Sequence, residues 1–263
     1  MGYMKFLMNI FLSFSLLFLL TLEGAAQAKD LKFAQVTDVN YKKNSEALVK
    51  IIKDINKTPE IDFVVFSGNN LGRAYSDNLK NFLADAKKLN VPYYVILGNK
   101  DVSKSNRLDK KTYFKMLCKA NKFHPRTPNY TFKKNGIVFI AVDGSKEVIP
   151  SANGVYSQET IAWVDEQLTK YKSNKAVILQ HFPLANKPPS ELYYTYNAQE
   201  YLAMLSKHSN VIAVIAGHFR KNDEITYNGI RHIITPQASN GIYKIIDIDE
   251  SYEVFTMLRD IKE

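Results

Sequence analysis

The chain is predicted to adopt an α/β fold, a layered sandwich that is partly parallel with an antiparallel finish. Two observations carry this. Short apolar runs alternate with amphipathic segments along most of the chain, and the last part breaks into short strands separated by Asn-Gly turns. Composition agrees: among 263 residues, 46% are hydrophobic and 23% charged, which excludes a disordered, collagenous or coiled-coil protein. No repeat, low-complexity tract or Pro/Gly-rich linker divides residues 29–263, so they read as one domain.

The first element is not part of that domain. Lys5 supplies a basic start, Phe6 to Leu22 form an apolar run, and Ala26-Gln27-Ala28 matches the small-residue triplet that signal peptidase reads. Residues 1–28 are therefore expected to be a cleaved signal peptide, leaving a secreted or periplasmic protein with no membrane anchor. Strands are then expected at 31–36, 61–66, 92–97, 136–142, 176–179 and 211–216. Segments such as Asp-Phe-Val-Val-Phe and Val-Ile-Ala-Val-Ile-Ala are apolar without alternation, as strands buried on both faces should be.

Between these strands, Leu48, Ile51, Ile52 and Ile55 recur at helical spacing after a Ser45 cap. Leu79, Phe82, Leu83 and Ala86 do so after Ser76, and Ile161, Val164, Leu168 and Tyr171 after Ser157. The antiparallel finish is read at 224–227, 231–235, 243–247 and 252–258. The single cysteine, Cys118, excludes a disulfide framework and a CxxC zinc ribbon, and its context reads as a buried helical thiol. The formal charge of +9 comes from 35 basic residues of which only six are Arg. Lysine written throughout the chain is not a surface built for bidentate phosphate recognition, so neither nucleic acid nor a membrane surface is inferred from charge alone.

Function should lie where strands end, because ligands of α/β sheets gather at their carboxyl ends. Five apolar runs stop abruptly at polar clusters: Thr37-Asp38-Val39-Asn40, Ser67-Gly68-Asn69-Asn70, Gly98-Asn99-Lys100-Asp101, Gln180-His181-Phe182-Pro183 and Gly217-His218-Phe219-Arg220. Glycine before a polar residue lets the chain turn sharply and present it to a shared crevice. The chain contains no phosphate-binding P-loop, dinucleotide glycine fingerprint, nucleophile elbow or His-Glu-x-x-His motif.

In this order, the five clusters resemble the calcineurin-like metallophosphoesterases, whose pattern is D-x-H, G-D-x-x-[DN], G-N-H-[DE], a lone His and G-H-x-H. The resemblance spans roughly Leu31 to Thr235. It implies a four-layer αββα sandwich, hydrolysis of phosphate mono- or diesters, and two divalent cations ~3.5–4 Å apart that activate a water and clamp phosphate oxygens. By carry-over, the first metal would take Asp38 and the positions held here by Asn40, Asn69 and Arg220, of which Asp38 alone keeps its usual identity. The second would take Asn99, His181, His218 and the bridging position, where Asn69 stands for the usual Asp. Lys100 stands where the family's catalytic His would protonate the leaving group or bind phosphate, and Asp101 would orient that His.

Without metal, Asp38, Lys100 and Arg220 sum to +1, so an entering dication meets resident cations. An amide such as Asn69 bridges two metals poorly. No dinuclear centre is expected, and at most one ion (Mn, Fe or Zn), or none, at Asn99, His181 and His218. The remaining expectations are an Arg220–Asp38 ion pair in the vacated first position, Asp101 paired with Lys100, and Tyr193, Tyr194 and Tyr196 as a substrate wall or packed lid. The ligand is expected to be a phosphate-bearing small molecule or other anion, and the protein a monomer. Two classes of function remain: an attenuated hydrolase, or an inactive relative that holds an anion in a cationic crevice.

Overall fold

A computed structural model describes residues 30–261; the expected signal peptide lies outside the described residues. The chain builds two mixed sheets packed face to face. The first contains β1 (Leu31–Val36), β2 (Phe63–Ser67), β3 (Tyr93–Ile96), β12 (Ile242–Ile248) and β13 (Val254–Asp260), in the order β13-β12-β1-β2-β3. The second contains β4 (Tyr130–Lys134), β5 (Ile137–Val142), β7 (Ala176–Gln180), β9 (Val211–Ala216), β10 (Asp223–Tyr227) and β11 (Ile230–Ile234), in the order β10-β11-β9-β7-β5-β4. In the first sheet β1, β2 and β3 pair in parallel while β12 and β13 join antiparallel at one side; in the second, β5, β7, β9 and β11 pair in parallel and both edge strands are antiparallel.

Helices α1 (Glu46–Lys57), α2 (Ser76–Ala86) and α3 (Lys110–Ala120) cover the first sheet, burying Leu48, Ile51, Leu79, Phe82 and Leu117 against it. Helices α4 (Gln158–Lys170) and α5 (Ala198–Leu205) cover the second. The result is the expected αββα order of layers. Between the sheets, Phe63 stacks on Phe33 at 4.8 Å and meets Phe139 edge-on at 5.2 Å, which fixes one sheet against the other. That lock matters for function, because the strand ends of both sheets must stay level for their loops to meet.

Local signals acted as expected at α1 and α4, where Ser45 and Ser157 accept hydrogen bonds from the Leu48 and Thr160 amides. Ser76 differs. It is the first helical residue of α2, and Tyr75 precedes it without a side-chain cap. The four C-terminal strands also differ from a continuous meander, forming two hairpins at one edge of each sheet. Glu224 of β10 explains the split, since it accepts from the buried Lys244 of β12 and from Thr256 of β13, each at 2.6 Å, and so staples the sheet edges together. Cys118 lies in α3, partly buried, with burial pushing its thiol pKa up. No helix among the described residues is long and apolar enough to cross a membrane.

Two histidines that match no motif belong to the core. His124 accepts the Val95 amide at 2.9 Å through Nε2, so its proton sits on Nδ1, facing the Pro125 carbonyl at 2.7 Å. Burial depresses both His124 and His232 from 6.5 to about 4. A histidine with a depressed folded pKa favours the neutral form, so its contribution is present above the unfolded value and lost as pH falls towards the folded one. Unfolding free energy should therefore drop between pH ~6.5 and ~4, by up to ~3 kcal/mol for His124. Denaturant titrations across that range check this, and His124→Gln should flatten part of the slope.

Candidate active site

The loops after β1, β2, β3, β7 and β9 converge at one end of the sandwich. Those after β1 and β2 extend the parallel ladder, with Asp38 N to Gly68 O and Asn40 N to Asn69 O both at 2.9 Å. At the turns the backbone is left-handed at Asp38, Asn40, Asn69, His218 and Arg220, with φ between 50° and 67°. Asn, Asp and His tolerate this region better than most residues, and strain of this kind concentrates at functional sites. Gly98 is required for close approach: a Cβ there would lie 2.7 Å from Asn69 Oδ1 and 2.9 Å from His181 Cδ2.

Asp38 sits at the bottom of the crevice with no exposed surface. Its carboxylate accepts from Asn69 Nδ2, Thr37 Oγ1 and the His218 amide, each at 3.0 Å. The Asn69 oxygen accepts the Lys100 amide at 3.0 Å, Lys100 Nζ reaches Asn40 Oδ1 at 2.7 Å, and Asn40 Nδ2 returns to the Asp38 carbonyl at 2.8 Å. Asp38, Asn69, Lys100 and Asn40 thus form a closed hydrogen-bonded ring that joins three of the four positions carried over to the first metal to the position of the family's catalytic His. Burial, and then the positive charge of Arg220, pull the Lys100 ammonium below its ordinary pKa.

The opposite side is built differently. The His181 and His218 rings lie 4.9 Å apart. His181 Nδ1 lies 2.8 Å from the Ser67 carbonyl, which places the ring proton there and leaves a lone pair on Nε2. His181 Nε2 and Asn99 Oδ1 are buried without a hydrogen-bond partner, as are the His218 ring nitrogens apart from a weak contact with the Ala152 backbone. Burial lowers both imidazoles, His218 to about 2, so both are neutral. Buried orphan polar atoms are costly unless something else satisfies them.

Two neutral imidazoles and an amide oxygen suit one divalent ion of the zinc or manganese type, and the Ser67 carbonyl supplies the orienting contact common behind metal-binding histidines. Among the described residues, no group of three or more His, Cys, Asp or Glu forms a metal cage, so an ion here would need the Asn99 oxygen. The residues present fit one ion on the histidine side and do not offer a second carboxylate for two.

Two expected pairs are not formed. Arg220 is exposed and makes no ion pair with Asp38, because the left-handed turns at His218 and Arg220 carry its side chain out to the rim. Asp101 does not pair with Lys100. It is buried behind the crevice, accepting the Gly98 amide at 2.7 Å, the Leu71 amide at 2.8 Å and Asn70 Nδ2 at 3.3 Å, and its role is to tie the loop after β3 to the loop after β2. Burial raises its pKa to about 7. Of the three tyrosines, only Tyr193 reaches the metal-side residues, its ring 5.1 Å from that of His218; Tyr194 and Tyr196 are exposed and pack edge-on against each other. The reading from sequence gave no role to Thr37, Ser67 or Gln35. All three are polar residues ending apolar strands, and Gln35 ties Ser67 Oγ to the Ala216 carbonyl at 2.8 Å each, beneath the site.

Known proteins resemble this arrangement. The family model for calcineurin-like phosphoesterases matches residues 31–220. A protein of Arcobacter nitrofigilis named as a probable glycerophosphodiester phosphodiesterase is 27% identical over 77% of this chain and 72% of its own. One of Fibrobacter succinogenes, named as a probable cyclic nucleotide phosphodiesterase, is 23% identical over 90% of this chain and 88% of its own. A crystal structure of a dimetal phosphatase from Danio rerio shares the fold at a TM-score of 0.70, with 15% identity over 88% of this chain and 96% of that one.

The ring makes Asn69 the residue to change. Asn69→Asp sets a second carboxylate about hydrogen-bonding distance from buried Asp38 and removes a donor, which should cost ~3–5 kcal/mol near neutral pH. Thermal melting should show that loss, with recovery on adding manganese. Arg220→Ala, at an exposed position, should change stability by no more than ~0.5 kcal/mol.

Proposed function

The chain belongs to the calcineurin-like phosphoesterase family, and on that premise we propose that it hydrolyses phosphodiesters slowly, using one divalent ion. The family implies use of divalent metal; the single ion and the reduced rate are our reading. One observation carries it: the lone pairs of His181, His218 and Asn99 are buried and unsatisfied, while the positions opposite are closed by the Asp38–Asn69–Lys100–Asn40 ring. The names of the two relatives support a phosphodiester as substrate.

A bound ion would supply Lewis-acid charge to a phosphate oxygen and ease deprotonation of water at neutral pH. The rest falls to the chain's own residues. Lys100 keeps two N–H donors beyond the one given to Asn40, enough to hold a phosphate oxygen. Its lowered pKa makes it a better proton donor to a leaving alkoxide than a free lysine. Arg220 at the rim attracts the anion, and Tyr193 walls the crevice beside His218. With the bridging carboxylate and the acid histidine both replaced, two separate parts of the barrier lose support.

A second reading has its own observation. The ring is complete without any metal and carries the Lys100 cation, which suits a protein that holds an anion and does not turn it over. Hydrolysis of bis(4-nitrophenyl) phosphate with added manganese separates the readings. Turnover well below ~1 per second, abolished by His181→Ala or by chelator, supports the hydrolase. No turnover with tight binding of inorganic phosphate supports the binder. Turnover at ordinary enzyme rates would contradict the attenuation.

A further inference from the structure

Two loops at the site end of the sandwich expose apolar side chains in a way the core does not require. After β5, Val148 is 64% exposed and Ile149 77%; after β7, Leu192 is 72% exposed, Tyr194 47% and Tyr196 48%. Single exposed hydrophobics are ordinary, but a cluster rimmed by polar groups marks an interaction surface. These loops are fastened to each other. The short parallel ladder of β6 (Gly154–Val155) with β8 (Thr195–Tyr196) joins them, and Asn153 Nδ2 donates to the Tyr194 carbonyl at 3.3 Å. The first is also tied to the loop after β3 by Lys104 N to Glu147 O at 2.7 Å. The second carries Tyr193 to within 5.1 Å of the His218 ring, so the patch and the crevice open on the same end.

Cations stand among these apolar groups. Lys146 Nζ lies 5.7 Å from the centre of the Tyr196 ring. Lys187 lines a groove of about 590 Å³ with Pro188, Pro189, Tyr194 and Tyr196. Neither lysine has a carboxylate partner within ion-pair distance among the described residues. Glu191 lines the same groove, and Lys100 and Arg220 add positive charge around His181 at this end. Aliphatic tips, tyrosines and lysines with apolar stems are the composition that settles at a lipid–water boundary, with rings and stems at headgroup level and ammonium groups on anionic phosphates.

We propose that this rim docks the protein on an anionic lipid bilayer, placing the crevice against the headgroups. The net charge of +9 gives long-range attraction, but the coincidence of exposed apolar tips and unpaired lysines at the mouth of the site is what selects a bilayer. Docking rests on neither metal content nor turnover.

Vesicle co-sedimentation tests it, using phosphatidylcholine alone and phosphatidylcholine with phosphatidylglycerol. The protein is used as recovered from cells, so that whatever residues 1–28 contribute is common to wild type and variants. Wild type should bind the anionic vesicles at least tenfold more tightly than the neutral ones. Val148→Asp with Ile149→Asp should weaken that binding at least tenfold. Lys146→Glu with Lys187→Glu should weaken it by roughly fivefold or more per lysine. All four positions lie outside the crevice, so melting temperatures should stay unchanged; if the aspartate pair lowers its own, the lysine pair carries the test. Failure of wild type to sediment, or equal binding by both variants, would overturn the proposal. So would a dimer in light scattering that the aspartate pair dissolves, because a second copy would then cover the patch.

Discussion

A carboxylate buried without a cation in direct contact is the constraint around which this site is arranged. Asp38 has no exposed surface and no ion-pair partner, yet its charge must be met, since an uncompensated buried charge costs several kcal/mol. It is met by three hydrogen bonds, from Asn69, Thr37 and the His218 amide. The amide at position 69 both donates to Asp38 and accepts from the Lys100 backbone, which an ionised Asp there could not do. Asn69 therefore makes Asp38 tolerable without metal, and Lys100 and Asn40 close the ring around it. The departures from the family pattern at 40, 69 and 100 are one coupled solution and not three separate losses.

The same coupling explains why the two halves of the site differ so sharply. On the Asp38 side the carboxylate and both side-chain amides are tied into the ring, and Lys100 keeps donors to spare. On the histidine side, three residues hold lone pairs that nothing in the chain satisfies. The Ser67 carbonyl fixes the His181 tautomer, and burial keeps both rings neutral, so this half keeps the lone pairs that the proposed ion would take. On the proposed reading, phosphate chemistry would draw on one ion and one lysine.

Much of this was legible in the sequence. Apolar runs without alternation located the inner strands, and their abrupt polar ends located the crevice. What was not legible was short or conformational. β6 and β8 are two residues long, α5 is brief, and β4 is a half-buried edge strand, so none carried a clear period. The Arg220–Asp38 pair follows from the first-metal position that the resemblance gives Arg220 and from charge balance; it fails because left-handed backbone at His218 and Arg220 aims the guanidinium outward, and φ cannot be read from residue type. The resemblance gives Asp101 the task of orienting the residue at position 100, here Lys100, whereas successive residues on this turn face opposite ways, one into the crevice and one into the loops.

The central claim is that one side of this site binds a single ion while the other has replaced its ion with hydrogen bonds. Titration calorimetry with manganese or zinc on metal-stripped protein tests it most directly. The account predicts one equivalent bound, lost in His218→Ala and retained in Asn40→Ala. Two equivalents, or binding that survives His218→Ala but disappears in Asn40→Ala, would contradict it.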